Sequence, residues 1–365
     1  MKITQIDVYQ ITCEYSETYK MSRGQAISSL ISTIIKISTD EGLQGFGEVC
    51  PLGSAYMDAF ARGVPSGIEE LGPFLIGQDP RQIRVINNLM DGVMRGHIYV
   101  KSPLDIACWD IMGQATGLPL CTLLGGRYVE SYPVYRSISR QSPEKMAKDV
   151  DHFRSEGYQR FQLKLGGDAD EDIRCIKAVL GAVQPGNVLV ADGNTGWSTH
   201  QAIRIVNALA GEDLYIEQPC RSLEECLVVR EHTRLPMVMC EIITGVDSLL
   251  KAYEKRAMDA VNIKISRVGG LTKAKQIRDL CEALGIVMTL EDSAGGDIVR
   301  ATVSHLVAST QPEFFFNSPD YRRFDVQIAE DALTAKEGKL SVPTGPGLGI
   351  HVDEKKLGNP LLTIK

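Results

Sequence analysis

Five polar residues close five consecutive short apolar runs: Lys164, Asp192, Glu217, Cys240 and Lys264. The runs recur every 23 to 28 residues, with a helical pattern in each gap. Strands separated by a helix at that period lie parallel, because the helical crossover carries the chain back to the starting edge. Similar runs flank the five, so the spacing predicts strands at 133–137, 160–165, 187–192, 214–217, 236–240, 260–265, 286–291 and 313–316. Eight such strands make a modified (β/α) TIM-type barrel, an α/β fold whose active site lies at the C-terminal ends of its strands. The strands are largely apolar, as a sheet covered by helices requires.

Residues 1–125 do not follow this rhythm. Runs at 31–39 and 43–49, joined by Asp40-Glu41-Gly42, predict a hairpin. Helical patterns follow at 58–75, 82–94 and 102–116, the last with Pro103 in its first turn. Strands then helices in blocks indicate an α+β capping domain. The barrel is assigned to 126–328. A turn-rich segment, 329–365, with Pro343-Thr344-Gly345-Pro346-Gly347, is expected to return to the cap.

Composition excludes several classes. A net charge of −7 with mixed signs offers no basic surface for nucleic acid. No apolar run approaches the ~20 residues needed to cross a bilayer. The first seven residues alternate like a strand, unlike a leader peptide. The nine cysteines are scattered and form no CxxC pair, which fits buried free thiols in a reducing cytoplasm.

The strand ends carry the chemistry. Lys164 closes the second barrel strand and Lys264 the sixth, opposite each other in an eight-stranded ring. Asp192, Glu217 and Cys240 close the three strands between. A lone lysine at a strand end is usually a solvated surface residue, and a lone Asp before Gly-Asn is usually a turn. Five consecutive polar ends in the order lysine, three potential ligands, lysine are not explained that way. A divalent cation on the acidic arc would hold a substrate carboxylate and stabilise the enediolate formed when the α-proton leaves. A desolvated lysine beside a metal is expected to have a lowered pKa and act as base. The second lysine delivers a proton, either to the opposite face of the α-carbon or to a β-hydroxyl.

On these residues the chain resembles the enolase superfamily, in its muconate-lactonising-enzyme-like branch, over essentially its whole length. The family's Lys-x-Lys motif corresponds to Gln162-Leu163-Lys164, with only the second lysine kept. Within the branch it is most similar to cis-3-hydroxy-L-proline dehydratases and hydroxyproline-betaine 2-epimerases. The segments that carry this likeness are Cys50-Pro51-Leu52-Gly53, Tyr135-Arg136-Ser137-Ile138-Ser139, Arg160-Phe161-Gln162-Leu163-Lys164 and Glu291-Asp292-Ser293. The resemblance implies Mg²⁺, a small amino-acid substrate, and a homo-oligomer. It implies dehydration of cis-3-hydroxy-L-proline, with 2-epimerisation of hydroxyproline or its betaine as the alternative.

Two positions depart from the family pattern. Cys240 stands where an acid followed by Glu is expected, and a thiol is a poor ligand for a hard ion. Glu241 is one substitute, although a one-residue shift on a strand turns a side chain to the other face. A softer ion such as Zn²⁺ is another, and a packed small residue at a weakened metal site a third. That last reading makes the chain a catalytically impaired binder of a small amino acid. Ala294 stands where such relatives carry an aromatic, which would enlarge the pocket and remove a cation–π contact. Tyr56, Gln162, Asn194 and Asp292 complete the expected substrate contacts. Glu291 and Asp292 close the seventh strand and are candidates to orient Lys264 or the substrate amine.

Overall fold

The computed structural model describes residues 1–321, 324 and 326–365. The capping part is a four-stranded antiparallel sheet built from β1 (Ile3–Lys20), β2 (Ala26–Thr39), β3 (Gln44–Val49) and, from the far end of the chain, the segment Leu362–Ile364. Helices α1 (Gly63–Leu71), α2 (Ile83–Val93) and α3 (Ile98–Thr116) pack on it around Ile35, Ile37, Ile68, Met90, Leu104 and Cys108. Sheet and α3 touch backbone to backbone. A Cβ on Gly47 would lie 1.8 Å from the Pro103 carbonyl oxygen, so only glycine fits there.

The strands β4 (Ser131–Pro133), β5 (Arg136–Ile138), β6 (Arg160–Lys164), β7 (Val188–Asp192), β8 (Tyr215–Glu217), β9 (Met237–Met239), β10 (Ala260–Lys264), β11 (Val287–Glu291) and β12 (Phe315–Asn317) follow. From β5 to β12 they form one eight-stranded parallel sheet in sequence order. A parallel bridge between Tyr135 and Pro319 joins its two ends, closing the ring. Helices 143–155, 169–180, 199–208, 223–230, 246–254, 271–284 and 297–308 fill the gaps. The expected barrel with an N-terminal strand-and-helix cap is what the chain forms.

Four boundaries differ from the sequence reading. The first barrel strand is shifted, because Ser131–Pro133 instead pairs antiparallel with β13 (Lys339–Ser341) of the tail. Proline, lacking an N–H, suits that two-stranded edge better than a barrel interior. Helix α3 begins four residues earlier, from His97 in a left-handed conformation (φ 44°). Pro103 therefore lies inside the helix and leaves the Tyr99 carbonyl without its usual donor. Helix α1 is shorter than 58–75 and yields to a 3₁₀ turn at Gly72–Phe74, where Pro73 follows Gly72. A 3₁₀ turn at Pro312–Phe314 delays the last strand.

A long hairpin of β1 and β2 was not foreseen from the sequence, and its length matters for the site. Its far end reaches the barrel mouth. There Lys20 N–H donates to Ser139 Oγ (2.9 Å), and Ser22 Oγ donates to the Asn194 carbonyl (3.1 Å). The tail strand β14 (Leu362–Ile364) pairs with β1, so the last residues join the capping sheet. All nine cysteines are buried and free. Among the described residues no helix is long and apolar enough to cross a membrane.

Candidate active site

Two arms of the barrel are built alike. On β6, Gln162 precedes Lys164 by two residues; on β10, Asn262 precedes Lys264 by two. The period-two pleat puts each amide and its lysine on one face. Both amides reach Glu217 at the end of β8: Gln162 Nε2 donates to Oε2 (2.8 Å) and Asn262 Nδ2 to Oε1 (2.9 Å). Each lysine pairs with the carboxylate opposite it on the next strand. Lys164 is in register with Asp192 and Lys264 with Glu291. Lys164 Nζ lies 2.5 Å from Asp192 Oδ2, and Lys264 forms the equivalent ion pair with Glu291 Oε1. All seven side chains are buried.

The two carboxylates differ. Glu291 also accepts from Asn262 (2.8 Å) and from the Tyr135 hydroxyl. Burial alone would raise its pKa, but Lys264 and Tyr135 outweigh burial and hold it below the usual carboxylate range. Asp192 accepts from the Asn194 N–H (2.7 Å) and has Glu217 and Glu241 as like-charged neighbours. Burial pushes it up to about 8, against the pull of Lys164. With Asp192 and Glu291 at contact distance, neither lysine has a lowered pKa. Burial lowers both, yet Asp192 raises Lys164 and Glu291 raises Lys264 well above the ordinary value. Each is an ammonium ion while its partner is in place, because a buried charge with a carboxylate at contact distance is compensated.

A cavity at the barrel mouth is lined by Lys164, Gln162 and Ser137 on one side and Lys264, Glu291 and Asp292 on the other. The cap supplies Tyr19, Leu52 and Tyr56 to its wall. Tyr56 lies with its ring centroid 5.5 Å from Lys264 Nζ, and its hydroxyl accepts from Arg267 Nη2 (2.8 Å). Ala294 lines the same cavity, packed with Tyr19, Leu52 and Cys50. Of the two acids closing β11, Glu291 takes Lys264. Asp292 is tied instead to Ser266 and to the Ser293 N–H (2.6 Å).

Asp192 and Glu217 end adjacent strands in register, as a metal-holding arc requires. Among the described residues no three His, Cys, Asp or Glu side chains form a ready-made metal cluster. Lysine and amide donors take up much of the arc. The donor set still suits a hard cation: two buried carboxylates, with Glu241 held near them through Asn194 Nδ2 (3.1 Å). The Cys240 sulfur faces Arg267 Nη1 at 3.3 Å, and burial pushes its thiol well up. Asn262 and Arg267 had no role in the sequence reading. The signal for Asn262 was present, since Asn262-x-Lys264 repeats Gln162-x-Lys164. Arg267 sits in the turn after β10, where only the fold brings it to Cys240 and Tyr56.

Residues 145–356 match the family described as enolase C-terminal domain-like. Residues 6–125 match the mandelate racemase / muconate lactonizing enzyme N-terminal domain. The chain is 49% identical to a cis-3-hydroxy-L-proline dehydratase of Roseibium aggregatum, over 99% of both chains. It is 30% identical to an N-succinyl-L-Arg/Lys racemase of Bacillus cereus, over 98% of this chain and 97% of that one. Among solved structures, it is similar to an enolase superfamily member from Roseovarius nubinhibens complexed with magnesium. That likeness has a TM-score of 0.95 at 34% identity and covers 100% and 99% of the two chains.

Proposed function

The chain belongs to the enolase superfamily, in its mandelate racemase and muconate lactonizing enzyme branch, and on that premise we propose that it is a hydro-lyase dehydrating cis-3-hydroxy-L-proline. The carrying observation is the pair of matched arms, each presenting one lysine to a single cavity from opposite sides of the barrel. The 49% identical dehydratase supports the choice of substrate.

The stereochemistry of that substrate calls for such a pair. Its hydroxyl and carboxylate share one face of the ring, so its α-hydrogen lies on the other. Elimination then needs a base on one face and an acid on the opposite face. Lys164, as the neutral amine, takes the α-proton. The C3–O bond breaks, and the Lys264 ammonium gives its proton to the departing hydroxyl, releasing water. The resulting enamine tautomerises to the cyclic imine. When bound, a hard divalent cation such as Mg²⁺ supplies Lewis-acid stabilisation of the charge that develops on the substrate carboxylate. Asp192 and Glu217 are the residues that would hold it. Were Asp192 to hold such a cation, it would no longer stabilise the Lys164 ammonium, and that amine would be free to act as base. Glu291 remains with Lys264 and keeps it protonated, ready to act as acid.

A second reading, 2-epimerisation, uses the same lysines, with Lys264 returning its proton to carbon; the racemase relative supports it. The chain acts on a free small amino acid, without nucleic acid or membrane. We further propose a homo-oligomer in the cytoplasm, where nine free thiols stay reduced. The test is incubation with Mg²⁺ and cis-3-hydroxy-L-proline in D₂O, followed by NMR. Formation of a pyrroline-type imine is expected. An inverted α-carbon with the hydroxyl retained would replace the dehydratase by the epimerase, and loss of neither the α-proton nor the hydroxyl would reject both.

A further inference from the structure

Asn194 is out of place for a simple turn residue. It is 4% exposed and sits in the left-handed region at φ 42°, followed by Thr195 at φ 58°. Such conformations in residues other than glycine persist only where the surroundings impose them. Its backbone N–H donates to Asp192 Oδ1 (2.7 Å) and its Nδ2 to Glu241 Oε1 (3.1 Å), so one residue ties the two acids together. The acceptor on Glu241 fixes which way the amide points. Its Oδ1 is then left buried with no hydrogen-bond partner, and so is Glu241 Oε2. Two buried oxygen acceptors without partners beside Asp192 suit a cation.

Cys240 is held differently. Its N–H donates to Gln218 Oε1 (2.9 Å), and its carbonyl accepts from Arg267 Nη1 (2.9 Å). The same Arg267 nitrogen lies 3.3 Å from the sulfur. A second cation at that sulfur would have to sit against a buried guanidinium. The alternation that would turn Glu241 away ends with β9 at Met239, one residue before Cys240. Past the strand end, adjacent side chains are no longer bound to opposite faces.

We propose that Glu241, supported by Asn194 Oδ1, is the third donor of the metal site, and that Arg267 removes Cys240 from it. The donor set is then all oxygen and suits Mg²⁺ or Mn²⁺ rather than a thiophilic ion. This rests on the reading that Asp192 and Glu217 hold a cation.

The test is Mn²⁺ binding, followed by the electron paramagnetic resonance signal of the free ion, for the full chain and three variants. Circular dichroism serves as the folding control. Cys240→Ser is expected to bind within about threefold of the unaltered protein. Glu241→Gln is expected to bind about 100-fold more weakly, and Asn194→Ala about tenfold, the range seen when ligands and their supporting groups are removed. The unaltered protein loaded with Co²⁺ should lack the intense near-ultraviolet band of a thiolate–cobalt bond, a readout that needs no variant to fold. Such a band, or loss of Mn²⁺ binding in Cys240→Ser with Glu241→Gln unaffected, would overturn the assignment. Absence of Mn²⁺ binding by the unaltered protein would instead overturn the metal reading beneath it.

Discussion

The two lysine arms share one plan and differ in one partner. Both follow amide-x-lysine, both amides grip Glu217, and both lysines meet a carboxylate in register on the next strand. Glu291 is fully engaged, by Lys264, Asn262 and Tyr135, and stays ionised. Asp192 is crowded by Glu217 and Glu241, and burial pushes it up to about 8. The Lys264 arm is therefore balanced as it stands, whereas in the Lys164 arm burial and crowding make the ionisation of Asp192 costly, a cost that a cation would relieve. A barrel can thus derive two chemical roles from one repeated motif by changing what surrounds the partner carboxylate.

The largest expected effect comes from removing each lysine in turn. General acid–base groups contribute typically ~10²–10⁴-fold. Lys164→Ala should lose both α-proton exchange in D₂O and elimination, by about 10⁴-fold. Lys264→Ala should lose elimination by about 10³-fold while still exchanging the α-proton, because the base remains. NMR of the substrate in D₂O separates the two. If Lys164→Ala exchanges and Lys264→Ala does not, the roles assigned to the arms are reversed.

The balance of the Lys264 arm can be broken from its other side. Glu291→Gln leaves a buried ammonium uncompensated, which costs about 3 kcal/mol of stability in urea unfolding. In the unaltered protein Lys264 lies above its ordinary value. Its contribution is therefore complete below about pH 10.5 and is lost only as pH rises through the folded value. Without Glu291, burial dominates and the folded value falls below the unfolded one. The variant should then gain stability between pH 8 and 10, where the unaltered protein stays level. Asp192→Asn should cost less than Glu291→Gln, since it also relieves the repulsion from Glu217 and Glu241. Equal losses would mean that the arms do not differ as described.

Much of this was legible before any coordinates. The βα rhythm gave the barrel, since strand ends at a 23-to-28-residue period have few other uses. Lys164, Asp192, Glu217 and Lys264 announced themselves because polar residues closing apolar strands need a reason. What escaped was set by distance along the chain. Glu291 was one of two acids closing its strand, and only the register with Lys264 chooses between it and Asp292. The contacts of Arg267 with Cys240 and Tyr56 span 27 and 211 residues, beyond any local pattern. The sequence reading weighed desolvation and a neighbouring metal, and did not foresee the Lys164–Asp192 ion pair that the strand register sets. The long β1–β2 hairpin was missed because its far half is partly exposed and lacks the apolar alternation of its base.

The smallest effect concerns the cap. Tyr56 places its ring 5.5 Å from Lys264 Nζ and also 5.5 Å from the Arg267 guanidinium, whose Nη2 donates to its hydroxyl. A cation–π contact contributes about 0.5–2 kcal/mol depending on desolvation. Tyr56→Leu removes the ring and should reduce kcat/KM about tenfold. Tyr56→Phe keeps the ring, loses only the Arg267 hydrogen bond, and should cost about threefold. Because Tyr56 lines the cavity without belonging to the acid–base pair, the loss should fall mainly on KM. A fall confined to kcat in both variants would mean that Tyr56 acts on Lys264 itself, and the Lys264 arm would then owe its proton to the cap as well as to Glu291.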